Sequence, residues 1–324
     1  MKKKFASQTA PKLSWKNAIL LAVTAALALF ASPGFAADTT WKYDITDDWF
    51  ISTNWDSGVP GPSSDAFINN GGTAQIYTDA CMAEALSLTL GLSAGDSGTV
   101  EVLPEHGDLT VGDAIFVGKG GKGNLTQTFG TIISATASIA SQTGSSGSAT
   151  VDGTTTAWRV SGEADVGGTT TAAGGTGLLT VTNSGTVSAA SVHVWNSGTL
   201  TGTGTVSVNS GSGTVAVDGT VAPSGTLTIT GNLSFGEGAN MSCNVSSTTV
   251  DNAQLSGAAA LDGKLSVILN GFFTGDFTLL HAGGGLGTTT FRSYSFTYTG
   301  CLSPSIVYDR TNGNVILHVV STCN

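Results

Sequence analysis

The chain has 324 residues, 45 of them glycine and only 7 proline, with 12 basic against 22 acidic side chains and a formal net charge of −10. Charged residues make up 10% of it, against about 25% in an ordinary soluble globular chain. Disorder needs low hydrophobicity with high net charge, which a positive mean hydropathy excludes, and the acidic balance argues against a nucleic-acid partner, because it repels phosphate backbones.

Residues 1–36 read as a secretory signal peptide. Lys2, Lys3, Lys4, Lys12 and Lys16 form a basic head, Ala18 to Phe30 is apolar and uncharged, and Gly34-Phe35-Ala36 offers small residues for cleavage after Ala36. The apolar core is shorter than the ~20 residues of a membrane span. No later segment has a long apolar run, so no transmembrane span is expected in the mature chain. Cleavage removes five lysines and leaves seven basic residues against 22 acidic ones, a formal net charge of −15. The expected location is secreted, extracellular or at the cell surface.

Residues 37–98 read as an N-terminal cap and first rungs. Trp41, Trp49 and Trp55 are three of the six tryptophans and fall in one short block before the Pro60-Gly61 turn. Bulky aromatics are one way to cover the open edge of a first rung. The functional alternative is a platform on which these indoles stack against sugar rings. Asp44, Asp47 and Asp48 could offer oxygens to Ca²⁺, but not at the spacing of a known loop. Met82–Leu90 is ambiguous, its first half helix-like and its second half strand-like. Gly91-Leu92-Ser93-Ala94-Gly95 fits a nucleophile-elbow pattern, and Gly95-Asp96-Ser97-Gly98 is similar to a serine-protease nucleophile turn. An elbow needs a following helix and a triad needs an oriented histidine. A strand pattern follows here, and the nearby His106 sits in a charged turn.

Residues 99–235 are a repeat. Short β-forming runs alternate with turns at Gly107-Asp108, Gly112-Asp113, Asp152-Gly153, Asn183-Ser184-Gly185, Asn196-Ser197-Gly198 and Asp218-Gly219. Leu178–Thr182 and Ser191–Trp195 place apolar residues at every second position, which points them to one face. Connections too short for Greek-key crossovers, and small and hydroxyl residues recurring in register, predict an all-β, right-handed parallel β-helix. At roughly 20–25 residues per rung, the mature chain would give about a dozen rungs and a body of about 55–60 Å. Gly118 to Gly123 contains G-x-G-x-x-G but opens onto a strand, with no helix N-terminus for a pyrophosphate. The threonine tracts Thr154–Thr156 and Thr169–Thr171 raise ice binding, which requires flat ordered ladders.

Residues 236–324 read as the last rungs and a capping β segment, where Phe272, Phe273, Phe277, Phe291 and Phe296 bring larger apolar groups. The cysteines Cys81, Cys243, Cys301 and Cys323 all lie in the exported part, where disulfides persist. Four cysteines allow three pairings. Cys301–Cys323 is favoured because both sit in the C-terminal segment, with Cys81–Cys243 as the remainder. Neither a CxxC pair nor a Cys/His cluster at zinc spacing is present.

The stretch Gly147 to Gly153, Trp158, Ser161-Gly162, Val166-Gly167 and Gly177 to Val181 resembles the repeat of type V secretion (autotransporter) passengers and PEP-CTERM-associated exported proteins. Asn54-Trp55 with Gly58 to Pro62 is similar to their entry segment. Val250-Asp251, Gln254-Leu255, Leu261-Asp262-Gly263, Leu265 and Val267 are similar to their C-terminal passenger segment. The resemblance implies a parallel β-helix presented outside the cell and no shared active site. No stretch of these residues reads as the translocator barrel or the sorting tail that such proteins are expected to carry.

The expected function is therefore a non-catalytic, structural or adhesin-like extracellular solenoid without cofactor or metal. Its partners would be cell-surface or matrix polysaccharide, or other copies of itself. The alternative is a β-helix polysaccharide lyase or hydrolase. A lyase needs a base with a cationic group, and the mature chain has three arginines, Arg159, Arg292 and Arg310. A hydrolase needs two carboxylates about 5–10 Å apart, and Glu163-Ala164-Asp165 puts two on one strand face. His193 and His318 sit in alternating strands, and His281 lies apart from both.

Overall fold

The computed structural model describes residues 38–77, 82–104 and 107–323. The expected signal segment, Cys81 and His106 lie outside them. No helix among the described residues is long and apolar enough to cross a membrane.

The chain winds as a parallel β-solenoid of three sheets, with ten, eleven and eleven strands. Successive strands visit the three faces in turn. Asp65–Ile68 lies in the first sheet, Thr73–Ile76 in the second, Ala83–Ala85 in the third, and Ser87–Leu90 returns to the first. The ambiguous Met82–Leu90 segment is thus two strands around a corner. Eleven strands span ten spacings of ~4.8 Å, about 48 Å, which is shorter than the dozen-rung estimate. The rungs are uneven, from 18 residues between the paired Ala216 and Ser234 to 30 between Ser148 and Leu178. The C-terminal cap also consumes chain without adding a full turn.

Alternation decides which side of each strand is buried. In the second sheet Leu125, Ala149, Leu179, Leu200 and Val221 stack in register along the interior, each essentially inaccessible. In the first sheet the ladder Ile115, Ala137, Ala164, Val192, Val215 and Leu233 does the same. One rung cannot enclose these side chains, so the stack supplies the burial.

The corners explain the glycine-rich motifs. Gly91 and Gly118 adopt φ of +64° and +77°, and a Cβ at either would lie 2.3 or 2.2 Å from a backbone carbonyl oxygen of Lys122 or Ser146. Only glycine fits both the left-handed backbone and the close approach of the next rung. Each precedes a strand, Ser97–Val102 or Lys122–Gln127. The nucleophile-elbow and dinucleotide patterns are therefore inter-rung corners.

The two ends are closed differently. Trp41, Trp49 and Trp55 form an edge-to-face cluster, with centroids 5.1 Å apart for Trp41–Trp55 and 4.9 Å for Trp49–Trp55. The Trp55 indole N–H donates to the Trp49 carbonyl at 2.8 Å. At the other end the strand Gly275–Ala282 pairs antiparallel with Asn314–Ser321, which pairs antiparallel with Leu302–Asp309. The Cys301–Cys323 disulfide clips the open end of that last hairpin. Cys243 corrects the second expected pairing. It is unbridged and fully buried in the strand Asn240–Ser246, and burial pushes its thiol pKa up. Seven ladder steps separate the strand Ala83–Ala85 from Asn252–Leu255, which follows Cys243 in its rung. That is about 34 Å at ~4.8 Å per step, far beyond the 4.4–6.8 Å Cα separation typical of a disulfide.

Candidate functional site

The indoles of Trp41, Trp49 and Trp55 are 1%, 0% and 2% exposed. They are the packed core of the N-terminal cap, and none presents a ring face to a sugar, which overturns the stacking platform. Of the aspartates proposed for Ca²⁺, Asp47 and Asp48 serve the local backbone. Asp47 accepts from the Asp48 N–H at 2.8 Å, and Asp48 from the Phe50 N–H at 2.9 Å. The arginines do not converge. Arg292 bridges Asp262 and Glu237, Arg310 holds the carbonyls of Gly287, Thr288 and Thr289, and Arg159 stands on the third sheet between Ile133 and Ser188. His281 bonds Asn314 and His318 bonds Asp276.

One place on the outer surface does gather chemistry. In the first sheet Phe116, Ser138, Asp165 and His193 occupy one outward-facing column on four successive rungs. Among the described residues, the hairpin of Gly168–Thr169 with Ala172–Ala173 is the one antiparallel strand pair inserted in the parallel stack between the caps, apart from the single Val245–Val250 bridge. It leaves the first sheet just after Asp165 and overhangs this column. The Ser138 hydroxyl donates to the Gly168 carbonyl at 2.6 Å. Beneath the hairpin lies a cavity of about 210 Å³ lined by Phe116, Thr136, Ser138, Asp165, Thr169 and Thr170.

Asp165 points outward yet is only 1% exposed, because the hairpin and Trp195 cover it. The Trp195 indole N–H donates to its Oδ1 at 2.9 Å. Burial raises its pKa to about 6; the Trp195 bond opposes the rise and Glu163 adds to it. The His193 ring stacks on Trp195, with centroids 3.8 Å apart, and its Nε2 lies 2.9 Å from Asp218 Oδ2. Glu163, Asp165 and His193 each offer a ligand-type atom within 4.8 Å of the others. The sequence pointed to Glu163 and Asp165. It missed His193, Trp195 and Asp218, which the winding brings from the next two rungs. Alternation in Ser191–Trp195 places His193 and Trp195 on one face, but not beside Asp165.

The other ordered surface is the outside of the second sheet. Thr126, Thr150, Thr180 and Thr201 stack in register. A neighbouring column runs Thr46, Thr73, Thr99, Asn124, Ser148, Leu178, Thr199, Thr220 and Asn240. These ladders come from single threonines repeated per rung. The contiguous tracts fall elsewhere, Thr154–Thr156 in a corner and Thr169–Thr171 in the overhanging hairpin. Compared with protein-family models and with curated proteins, the chain matches none.

Proposed function

We propose that this protein is an exported, non-catalytic β-solenoid that contacts polysaccharide or other copies of itself through its hydroxyl-lined outer faces, as the passenger-like repeat implies. The carrying observation is the pair of outer columns on the second sheet, hydroxyl and amide side chains interrupted at Leu178. Hydroxyls at ~4.8 Å along the stack, on a backbone fixed by parallel ladders, form a preorganised polar surface, which lowers the ordering cost of binding a long hydroxylated chain. Purified protein is expected to bind at least one insoluble polysaccharide or glycan-array class, or to self-associate. Replacing Thr126, Thr150, Thr180 and Thr201 together by valine should weaken that binding without changing the fold. Silence on every glycan together with a strictly monomeric state would reject the reading. Sequencing the N-terminus of exported material should find Ala37.

A second reading rests on the Glu163–Asp165 pair beside the cavity. Two carboxylates on one face are the minimum for glycoside hydrolysis. Turnover of a neutral or uronate glycan, lost in Asp165→Asn, would establish it over the binding role.

A further inference from the structure

We infer that Glu163, Asp165 and His193 form a binding site for one divalent transition-metal cation of the Mn²⁺-to-Zn²⁺ series, a role independent of the proposed surface binding.

Three ligand-type atoms lie within 4.8 Å of one another, a span that one ion with bonds of about 2.0–2.4 Å bridges after small side-chain adjustments. The groups around them are already arranged. A metal-bound histidine ordinarily has its other nitrogen held by a carboxylate, which fixes ring orientation and tautomer. Here Asp218 holds Nε2 at 2.9 Å, so Nδ1 is the ligand atom assigned to the ion, while Trp195 supports the ring face. Trp195 also donates to Asp165 Oδ1, and no hydrogen bond among the described residues reaches Oδ2 of this 1% exposed side chain, which lines the cavity. Among the described residues neither Asp165 nor Glu163 makes a salt bridge. Two neighbouring anions and an imidazole edge therefore converge with no protein cation between them.

The donor set selects the ion class. Imidazole suits Zn²⁺ and its first-row neighbours and the carboxylates also accept Mn²⁺, whereas Ca²⁺ and Mg²⁺ favour all-oxygen shells. Three protein ligands leave positions for water or an oxygen-rich ligand. Glu163 is only half-buried, so it can swing to meet an ion.

Full-length exported protein, stripped with chelator, should be titrated with Mn²⁺, Co²⁺, Zn²⁺ and Ca²⁺ by calorimetry. One equivalent of transition metal is expected to bind in the micromolar range or tighter, with Ca²⁺ at least 10-fold weaker and a raised melting temperature. Bound Co²⁺ should show a visible absorption band that differs from that of the aqueous ion. His193→Ala and Glu163→Gln should each weaken binding 10- to 100-fold, and His281→Ala, at a distant histidine, should leave it unchanged. Asp218→Asn, which touches only the outer nitrogen, should cost about 10-fold and shift the Co²⁺ band. Glu163→Gln preserves size and exposure, so it guards against misfolding of the histidine variant. Absence of saturable binding, equal affinity for Ca²⁺, or wild-type affinity in Glu163→Gln would each overturn the site and point to diffuse attraction by the acidic surface.

Discussion

Replacing Leu200 by alanine tests the central packing claim most directly. Leu200 is wholly buried in the second sheet, and its register neighbours along the interior are Leu179 and Val221. The change removes three carbons at about 0.8 kcal/mol each, roughly 2.4 kcal/mol of transfer free energy. A cavity contribution adds to this, because ladder hydrogen bonds hold the neighbouring rungs at fixed spacing and limit collapse. The total expected is about 3–4 kcal/mol, within the usual range for buried Leu→Ala. Thr199→Ala is the paired control. It lies one residue away on the outer column and should cost under about 1 kcal/mol. Urea unfolding followed by far-UV circular dichroism and tryptophan fluorescence gives both values from the midpoint and slope. Interfaces between rungs contribute nearly additively in a quasi-one-dimensional stack, so the leucine variant should also separate the unfolding of the two halves. Equal costs at the two positions, or less than about 1 kcal/mol at Leu200, would refute the inward and outward assignment.

Four further outcomes are expected. Trp49→Ala, at a 0% exposed position in the N-terminal cluster, should cost about 3–5 kcal/mol and speed hydrogen exchange in the first rungs before the rest. Gly91→Ala should cost at least about 1–2 kcal/mol from the left-handed backbone alone, plus the clash with the Lys122 carbonyl, measurable as a lowered melting temperature. Cys301→Ser opens a 22-residue loop and should cost about 3 kcal/mol by the chain-entropy relation, with increased exchange confined to the terminal hairpin. The Asp56 carboxylate accepts from the Thr40 backbone N–H at 2.8 Å, which holds its pKa below the usual carboxylate range. Its stabilising contribution is therefore present above the unfolded carboxylate pKa and fades as pH falls through the lower folded value; Asp56→Asn should flatten that acid dependence at the N-terminal end, as followed by NMR.

The solenoid was legible because its cause is local and repeated. Strands such as Leu178–Thr182 declare their inner face by alternation, and corner glycines mark each change of direction. The terminal hairpin and its disulfide were legible for similar reasons, since Cys301 and Cys323 bracket a short segment. The tryptophans show where composition misleads. A block of indoles is compatible with a sugar platform or a core, and only the chain's return through Trp55 onto Trp49 decides for the core. Cys243 misled because counting cysteines does not say which rung each occupies. The cluster around Asp165 was half legible. Its two acids share one strand, but His193 becomes their neighbour through a register that depends on the length of the intervening rung. The overhanging hairpin lengthens that rung beyond its neighbours, and nothing in alternation fixes how much chain a corner absorbs.

That hairpin also explains why chemistry collects at one rung of an otherwise repetitive body. The parallel ladders bear the stability, so a corner can extrude extra residues without disturbing the stack. An outward side chain on a bare sheet stays solvated and keeps ordinary properties. Once a loop folds over it, the same side chain is desolvated, and its neighbours on adjacent rungs become its only partners. Asp165 has the same outward position in its strand as His193 in the next, yet only Asp165 lies beneath the hairpin and is fully covered. Glu163, Asp165 and His193 sit on two strands of the stack, Glu163–Val166 and Ser191–Val194, and Trp195 and Asp218 directly follow strand ends, which holds these groups in place better than long loops would. The mobile part of such a site would be the cover, not the ligating groups, so affinity and access can vary separately: the first with the register of the strands, the second with the length and sequence of the hairpin.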